Sequence, residues 1–89
     1  MLLFAYDYEG NKKEFTVDDE FDYIEVNVIT GDEVIRVWRN GGPGKPPTCI
    51  AYCDSSESRF EDFNDFSYFV ARDEVDDWLK RKTVDDLRW

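Results

Sequence analysis

Two neighbouring runs of alternating apolar and polar side chains restrict this chain to folds that contain an antiparallel hairpin. The run YIEVNVIT, residues 23–30, places an isoleucine and two valines at every second position, as in a β-strand with one buried face. The run EVIRVWRN, residues 33–40, continues the alternation with Ile35 and Val37 on the buried side. The Gly-Asp pair between the runs is typical of a tight turn, so the segment predicts a hairpin.

A second hairpin is predicted near the start of the sequence. The run LLFAYDY, residues 2–8, alternates aromatic positions with smaller or polar ones, as a strand does. Gly10 and Asn11 tolerate a positive φ and therefore suit a turn, and the run KEFTV, residues 13–17, returns from it.

The segment TCIAYC, residues 48–53, predicts a further strand because isoleucine, tyrosine and small residues suit a pleated surface. Cys49 and Cys53 would then share a strand face roughly 13 Å apart, since each residue advances about 3.3 Å. A disulfide requires Cα atoms within about 7 Å, so we expect two free thiols and a reducing, cytoplasmic setting. Two thiols without histidine make a poor zinc site, and we expect no metal and no cofactor.

The stretch NGGPGKPP, residues 40–47, is rich in residues that interrupt regular structure and predicts a loop. Pro43 and Pro46 have the spacing of a PxxP segment, which an aromatic groove could bind, so the role of this loop stays open.

The clearest helix signal is RDEVDDWLKRK, residues 72–82. Val75, Trp78 and Leu79 fall at positions i, i+3 and i+4, which places them on one helical face. The helix is expected to cover one face of the sheet.

The tetrapeptide Thr-Val-Asp-Asp occurs twice, at residues 16–19 and 83–86. Each copy is typical of a helix start, with the threonine as N-cap and an aspartate three residues later. We therefore expect a helix to begin at each site.

The segment RFEDFNDFSYF, residues 59–69, carries a phenylalanine at every third position. On a helix these rings would spread over about 180° and form no narrow stripe. We predict a turn or short helix over residues 59–65, followed by the strand FSYFVA, residues 66–71. Because aromatic side chains are usually buried, the four phenylalanines are expected mostly in the core, with the neighbouring acids outside.

These elements predict a single α+β domain over residues 1–89, with a small antiparallel sheet of about four to five strands and a C-terminal helix on one face. The sequence is 42% hydrophobic and includes fifteen aromatic residues, too much apolar area for a disordered acidic tail. No apolar run approaches the roughly 18 residues of a membrane span. The first ten residues lack the basic and apolar regions of a signal peptide.

The charge of −10 is concentrated in two segments. Residues 1–22 hold seven acids and two lysines, and residues 54–71 hold five acids and one arginine. Dense unpaired anions repel one another in a compact fold, so either the surface is simply solvated or a basic partner neutralises it. The residues expected to meet that partner are Asp18, Asp19, Glu20, Asp22, Glu25, Glu61, Asp62, Phe63 and Asp65.

Other functions are disfavoured. Without histidine, no side chain with an ordinary pKa near neutrality is present for acid–base catalysis, and we expect no enzyme. The acidic run at residues 54–65 departs from a calcium-binding loop, since Arg59 stands where glycine is needed and Asp65 where glutamate is needed. The negative charge disfavours direct nucleic-acid binding.

We therefore predict an acidic inhibitor that blocks the nucleic-acid-binding surface of a basic partner protein. In size and charge the chain is similar to phage-encoded nuclease inhibitors, including anti-CRISPR proteins, and to immunity proteins, although no shared motif supports this analogy. The alternative is a non-catalytic interaction domain that binds through an apolar sheet face or edge. Trp38 would be its anchor unless the C-terminal helix covers that side chain.

Overall fold

Antiparallel hairpins form most of the fold, as the alternating runs predict. The computed structural model describes residues 1–29, 31–55 and 66–87, with side chains up to Lys82 in the last helix. The strands are β1 (Leu2–Tyr6), β2 (Lys12–Thr16), β3 (Tyr23–Ile29), β4 (Asp32–Arg39), β5 (Thr48–Asp54) and β6 (Phe66–Ala71). A 3₁₀ turn (Arg72–Glu74) leads into the helix α1 (Val75–Leu87).

The described strands form two antiparallel sheets. β1 and β2 pair as a two-stranded sheet, and the other four strands pair in the order β5-β4-β3-β6. Both predicted hairpins, the strand within residues 48–53 and the strand FSYFVA are confirmed, as is the α+β class. The loop predicted at residues 40–47 lies between β4 and β5.

One face of the four-stranded sheet, here called the inner face, carries the core. Its buried side chains are Ile24, Val26, Ile35, Val37, Cys53 and Val70. Leu3 and Ala5 of β1 and Val75 and Trp78 of α1 belong to the same cluster. The helix and the small sheet therefore both cover the inner face. The opposite, outer face carries Trp38 of β4 and the odd-numbered residues of β3 and β6, among them Tyr23, Glu25 and Phe69.

Two local predictions are wrong. Thr16 ends β2 and no helix follows it, because Val17 and Phe21 are both buried and hold residues 17–22 as a loop. No new helix begins at Thr83, because α1 continues through that residue. Within α1 the main chain already supplies the hydrogen bonds that an N-cap would satisfy.

The predicted burial of the phenylalanines is also wrong where the structure describes them. Phe66 is 57% exposed and Phe69 is 65% exposed. Both lie on β6, which is at the edge of the sheet and gains neighbours from only one paired strand, β3. The other two phenylalanines and the predicted turn over residues 59–65 lie outside the described residues.

The two cysteines are free, as predicted, but they do not share a strand face. A β-bulge opposite Val37 and Trp38 inserts Ile50 as an extra residue in β5. Ile50 and Ala51 therefore both contact the core, whereas Cys49 is exposed and Cys53 is buried. None of the described helical segments is long and apolar enough to cross a membrane.

Candidate protein-binding site

Four of the predicted acids, all from the acid-rich segment at residues 1–22, lie on the loop that joins β2 to β3, here called the acidic loop (residues 17–22). Val17 and Phe21 are 6% and 5% exposed, so the two apolar side chains fix the loop to the core. The four carboxylates between and after them, those of Asp18, Asp19, Glu20 and Asp22, are exposed. Burial of the apolar residues thus determines which side chains of the loop face solvent.

Hydrogen bonds from surrounding elements hold the backbone of the acidic loop. The Arg39 guanidinium donates to the Glu20 carbonyl oxygen at 2.8 Å, and the Arg72 guanidinium donates to the Asp19 carbonyl oxygen at 3.3 Å. The Asp22 amide donates to the Trp38 carbonyl oxygen at 2.9 Å. These bonds connect the loop to β4 and to the start of the C-terminal helical segment, so the carboxylates project from an ordered backbone.

The carboxylates of the loop differ in their own contacts. Asp19 lies 2.9 Å from the α-amino group of Met1, and the hydrogen bond and charge of that group hold the pKa of Asp19 below its ordinary value. The Asp22 carboxylate accepts a hydrogen bond of 2.6 Å from the main-chain amide of Asn40. The Asp18 carboxylate accepts one of 3.0 Å from the main-chain amide of Glu20. In the described part of the chain the Glu20 carboxylate makes no hydrogen bond or ion pair.

Glu25, the remaining predicted acid that the structure describes, lies on the outer face among aromatic rings. Its Oε1 accepts a hydrogen bond of 3.0 Å from the Trp38 indole nitrogen. Tyr23 stacks on Trp38 with ring centroids 6.5 Å apart and meets Phe69 edge-on at 5.8 Å. We call Tyr23, Glu25, Trp38 and Phe69 the outer cluster.

The acidic loop and the outer cluster are adjacent. Asp22, the last residue of the loop, precedes Tyr23 directly and hydrogen-bonds to the main chain of Trp38. Together they place an acidic margin beside a partly exposed aromatic patch. Protein interfaces commonly combine an aromatic centre with a polar rim.

The structure brings together five of the predicted site residues and describes none of the other four. Asp18, Asp19, Glu20 and Asp22 lie on the acidic loop, and Glu25 lies in the outer cluster. The predicted residues outside the described ranges are Glu61, Asp62, Phe63 and Asp65.

The prediction missed Tyr23 and Phe69 as members of the site. The signal was present in the sequence, because the alternation that directs Ile24 and Val70 inward directs their neighbours outward. Applying the alternation to the outer face, and not only to the core, would have identified the aromatic patch.

Two other acids have structural contacts instead. The Asp32 carboxylate accepts a hydrogen bond of 2.8 Å from the Tyr8 amide. Glu33 Oε1 accepts hydrogen bonds of 2.7 Å from the Tyr6 amide and 2.9 Å from the Lys82 ammonium. Both side chains are at least half-buried. Asp32 connects β4 to the turn that follows β1, and Glu33 connects the two sheets and α1.

The buried titratable groups are suited to structural roles. Burial raises the pKa of Cys53, which keeps its thiol protonated and a weak nucleophile. Burial lowers the pKa of Lys82, and the nearby Glu33 carboxylate partly offsets this effect. Among residues 1–29, 31–55 and 66–82, no group of three acid or cysteine side chains is arranged to hold a metal ion.

No family model matches this sequence, and comparison with the curated proteins and with the solved structures finds no match either. The functional argument therefore depends on the geometry of the acidic loop and the outer cluster.

Proposed function

We propose that this chain is a non-catalytic inhibitor that binds a basic protein and covers its nucleic-acid-binding surface. The observation that carries the proposal is the acidic loop, whose exposed carboxylates project from a backbone fixed by Arg39 and Arg72 beside the outer cluster. An ordered loop loses little conformational entropy when it binds, which favours affinity.

The negative charge of the chain indicates that the partner's binding surface is positively charged. Nucleic-acid-binding grooves carry lysine and arginine to match a duplex with one phosphate charge per roughly 1.7 Å of axis. Carboxylates on adjacent loop residues can occupy comparable positions in such a groove and exclude the nucleic acid. Complementary charge also accelerates association of the two proteins.

The acids of the loop are expected to contribute unequally. The Glu20 carboxylate makes no hydrogen bond or ion pair within the described residues, and those of Asp18 and Asp22 each accept one hydrogen bond. The charge of Asp19, in contrast, is partly neutralised by the Met1 amino group. Participation of Glu61, Asp62, Phe63 and Asp65 stays a prediction.

We propose a cytoplasmic location, which would be the host cell cytoplasm if the chain is phage-encoded. Two free cysteines support a reducing compartment.

A second candidate is an interaction domain that binds through the apolar part of the outer face. The exposed ring of Phe69, next to Tyr23 and Trp38, favours it. The two candidates differ in their response to salt, because an apolar interface tolerates high ionic strength and an electrostatic one weakens.

The experiment is a capture of partners from a bacterial lysate on the immobilised chain at about 0.1 M salt, with stepwise elution to about 1 M, where the Debye length falls from about 10 Å to 3 Å. A basic nucleic-acid-binding protein that elutes with salt, and that added DNA displaces, is the expected result. A partner retained through the highest salt step would contradict the proposal and favour the apolar interaction domain.

A further inference from the structure

The outer cluster surrounds a carboxylate with aromatic rings on neighbouring strands. Glu25 of β3 is directly opposite Phe69 of β6 in the register and hydrogen-bonds to Trp38 of β4. Tyr23 contacts both of these rings, so that the three rings form one connected group around the acid.

The ring of Phe69 is accessible to solvent, and Oε2 of Glu25 accepts no hydrogen bond within the described residues. Phe69 is 65% exposed, and the hydrogen bond from Trp38 engages only Oε1 of Glu25. Arg36 is opposite Glu25 on β4, but its guanidinium lies over the Tyr52 ring, 5.5 Å from the centroid. Within the described ranges Glu25 forms no ion pair.

Aromatic faces beside a carboxylate are suited to bind an organic cation. The ring quadrupole attracts the charge, and the carboxylate pairs with it. A guanidinium fits better than an ammonium, because its planar group can stack on a ring while its N–H groups donate to carboxylate oxygens. The chain itself places a guanidinium over an aromatic ring twice, with Arg36 over Tyr52 at 5.5 Å and Arg72 over Phe21 at 4.9 Å from the ring centroid.

The surrounding negative charge favours a protein side chain over a nucleic-acid base as the group that binds the rings. Nucleic-acid bases also stack on exposed rings, but the adjacent acidic loop repels their phosphates. We propose that the outer cluster is an arginine-binding site, in which a guanidinium of the basic partner stacks on Phe69 and pairs with Glu25. This inference rests on the proposed function and adds the side chain that the partner must present.

The test compares nona-arginine and nona-lysine peptides as probes, with affinities measured by calorimetry at about 0.1 M salt. We expect the chain to bind nona-arginine about tenfold more tightly than nona-lysine, since stacking and pairing favour the guanidinium. Phe69→Ala and Glu25→Gln should each remove most of this preference and leave the affinity for nona-lysine nearly unchanged.

Phe66→Ala is the matched control. It removes the same ring from the same strand at 57% exposure, but Phe66 belongs to the inner-facing positions of β6 and stacks on Tyr68. This variant should keep the full preference for arginine. Because Phe69 is mostly exposed, its replacement should leave the fold intact, which circular dichroism would verify.

Nuclear magnetic resonance provides a direct readout of the site. The indole N–H signal of Trp38, which is bonded to Glu25, should shift on addition of nona-arginine, whereas that of Trp78, which is bonded to Tyr68, should not. Equal shifts of both signals would contradict a site at the outer cluster.

The outcomes separate the two proposals. If both peptides bind but the preference is absent, or survives both Phe69→Ala and Glu25→Gln, the arginine site is wrong and the attraction to basic partners stands. If neither peptide binds, the proposed function itself is contradicted. Binding of a single-stranded oligonucleotide that Phe69→Ala abolishes would overturn the arginine site in favour of base stacking.

Discussion

The ammonium of Lys82 lies 2.9 Å from the carboxylate of Glu33, and this largely buried pair joins α1 to β4. The same ammonium donates a hydrogen bond of 2.8 Å to the Phe4 carbonyl oxygen and lies 4.3 Å from the centroid of the Trp78 ring. Glu33 in turn accepts from the Tyr6 amide of β1. One ion pair therefore connects the helix with both sheets.

Replacing Lys82 with alanine is expected to cost about 3–5 kcal/mol of the free energy of unfolding, because Glu33 is left with an unpaired, mostly buried charge. Chemical denaturation measures this change. Lys80→Ala, an exposed lysine of the same helix, should change the free energy of unfolding by less than about 0.5 kcal/mol. Equal effects of the two substitutions would show that the buried pair has no special role.

The carboxylate of Asp7 organises the turn of the first hairpin and should make its stability depend on pH. It accepts hydrogen bonds from the main-chain amides of Glu9 at 2.9 Å and of Asn11 at 2.8 Å. The side-chain hydrogen bond from Asn11, at 3.0 Å, is the main reason that the pKa of Asp7 lies below its ordinary value of 3.8.

A folded pKa below the unfolded one means that the stabilising contribution of Asp7 is complete above about pH 4 and is lost as the pH falls through the folded value. The difference in free energy of unfolding between the wild type and Asp7→Asn should therefore shrink as the pH is lowered from about 6 to about 2. A difference that stays constant over this range would refute the assignment.

Two turn glycines with similar backbone angles should differ in their tolerance of alanine. Gly10 and Gly31 have φ values of 85° and 89°, where an L-residue is strained by roughly 1–2 kcal/mol. A Cβ at Gly31 would also lie 3.0 Å from the Tyr8 Cβ, whereas a Cβ at Gly10 meets no atom within 4 Å. Gly31→Ala should thus destabilise the protein more than Gly10→Ala in thermal unfolding, and the reverse order would contradict this contact.

The hairpins were predictable because alternation with period two depends only on which face is buried. Ile24, Val26, Ile35 and Val37 are all fully buried, as their positions predict. The helix at Val75 and Trp78 was predictable for the same reason, with the helical period in place of the strand period.

The predictions that were wrong concern features that depend on tertiary contacts. Phe66 is on the inner-facing side of β6, and its exposure follows from the edge position of this strand, because the order of strands in a sheet is not encoded in local periodicity. Phe69 is exposed because it lies on the outer face, which the alternation does indicate. The helix start expected at Thr16 did not form, because burial of Val17 and Phe21 outweighs the N-cap preference of the tetrapeptide Thr-Val-Asp-Asp. The β-bulge that places Cys49 and Cys53 on different faces likewise could not be predicted from the alternation of residues 48–53.

The candidate site was predicted in part. The acids of residues 18–22 were identified by charge density, but their internal contacts, such as the pairing of Asp19 with the Met1 amino group, required the fold. The outer cluster depends on the register that places Glu25 opposite Phe69, which no single strand specifies.

The central claim is that the acidic loop attracts a basic partner, and a charge-matched pair of variants tests it most directly. Asp18→Asn/Glu20→Gln and Asp76→Asn/Asp77→Asn each remove two exposed carboxylates, the first pair from the acidic loop and the second from α1. Asparagine at position 18 retains an oxygen that can accept from the Glu20 amide. Both double variants should therefore fold normally.

The measurement is the association rate of each variant with the captured partner at about 0.1 M salt. We predict that the loop variant associates several-fold more slowly than the wild type and depends less on salt, while the helix variant stays close to the wild type. Equal rates for the two variants would mean that only net charge matters, and would contradict a binding site on the acidic loop.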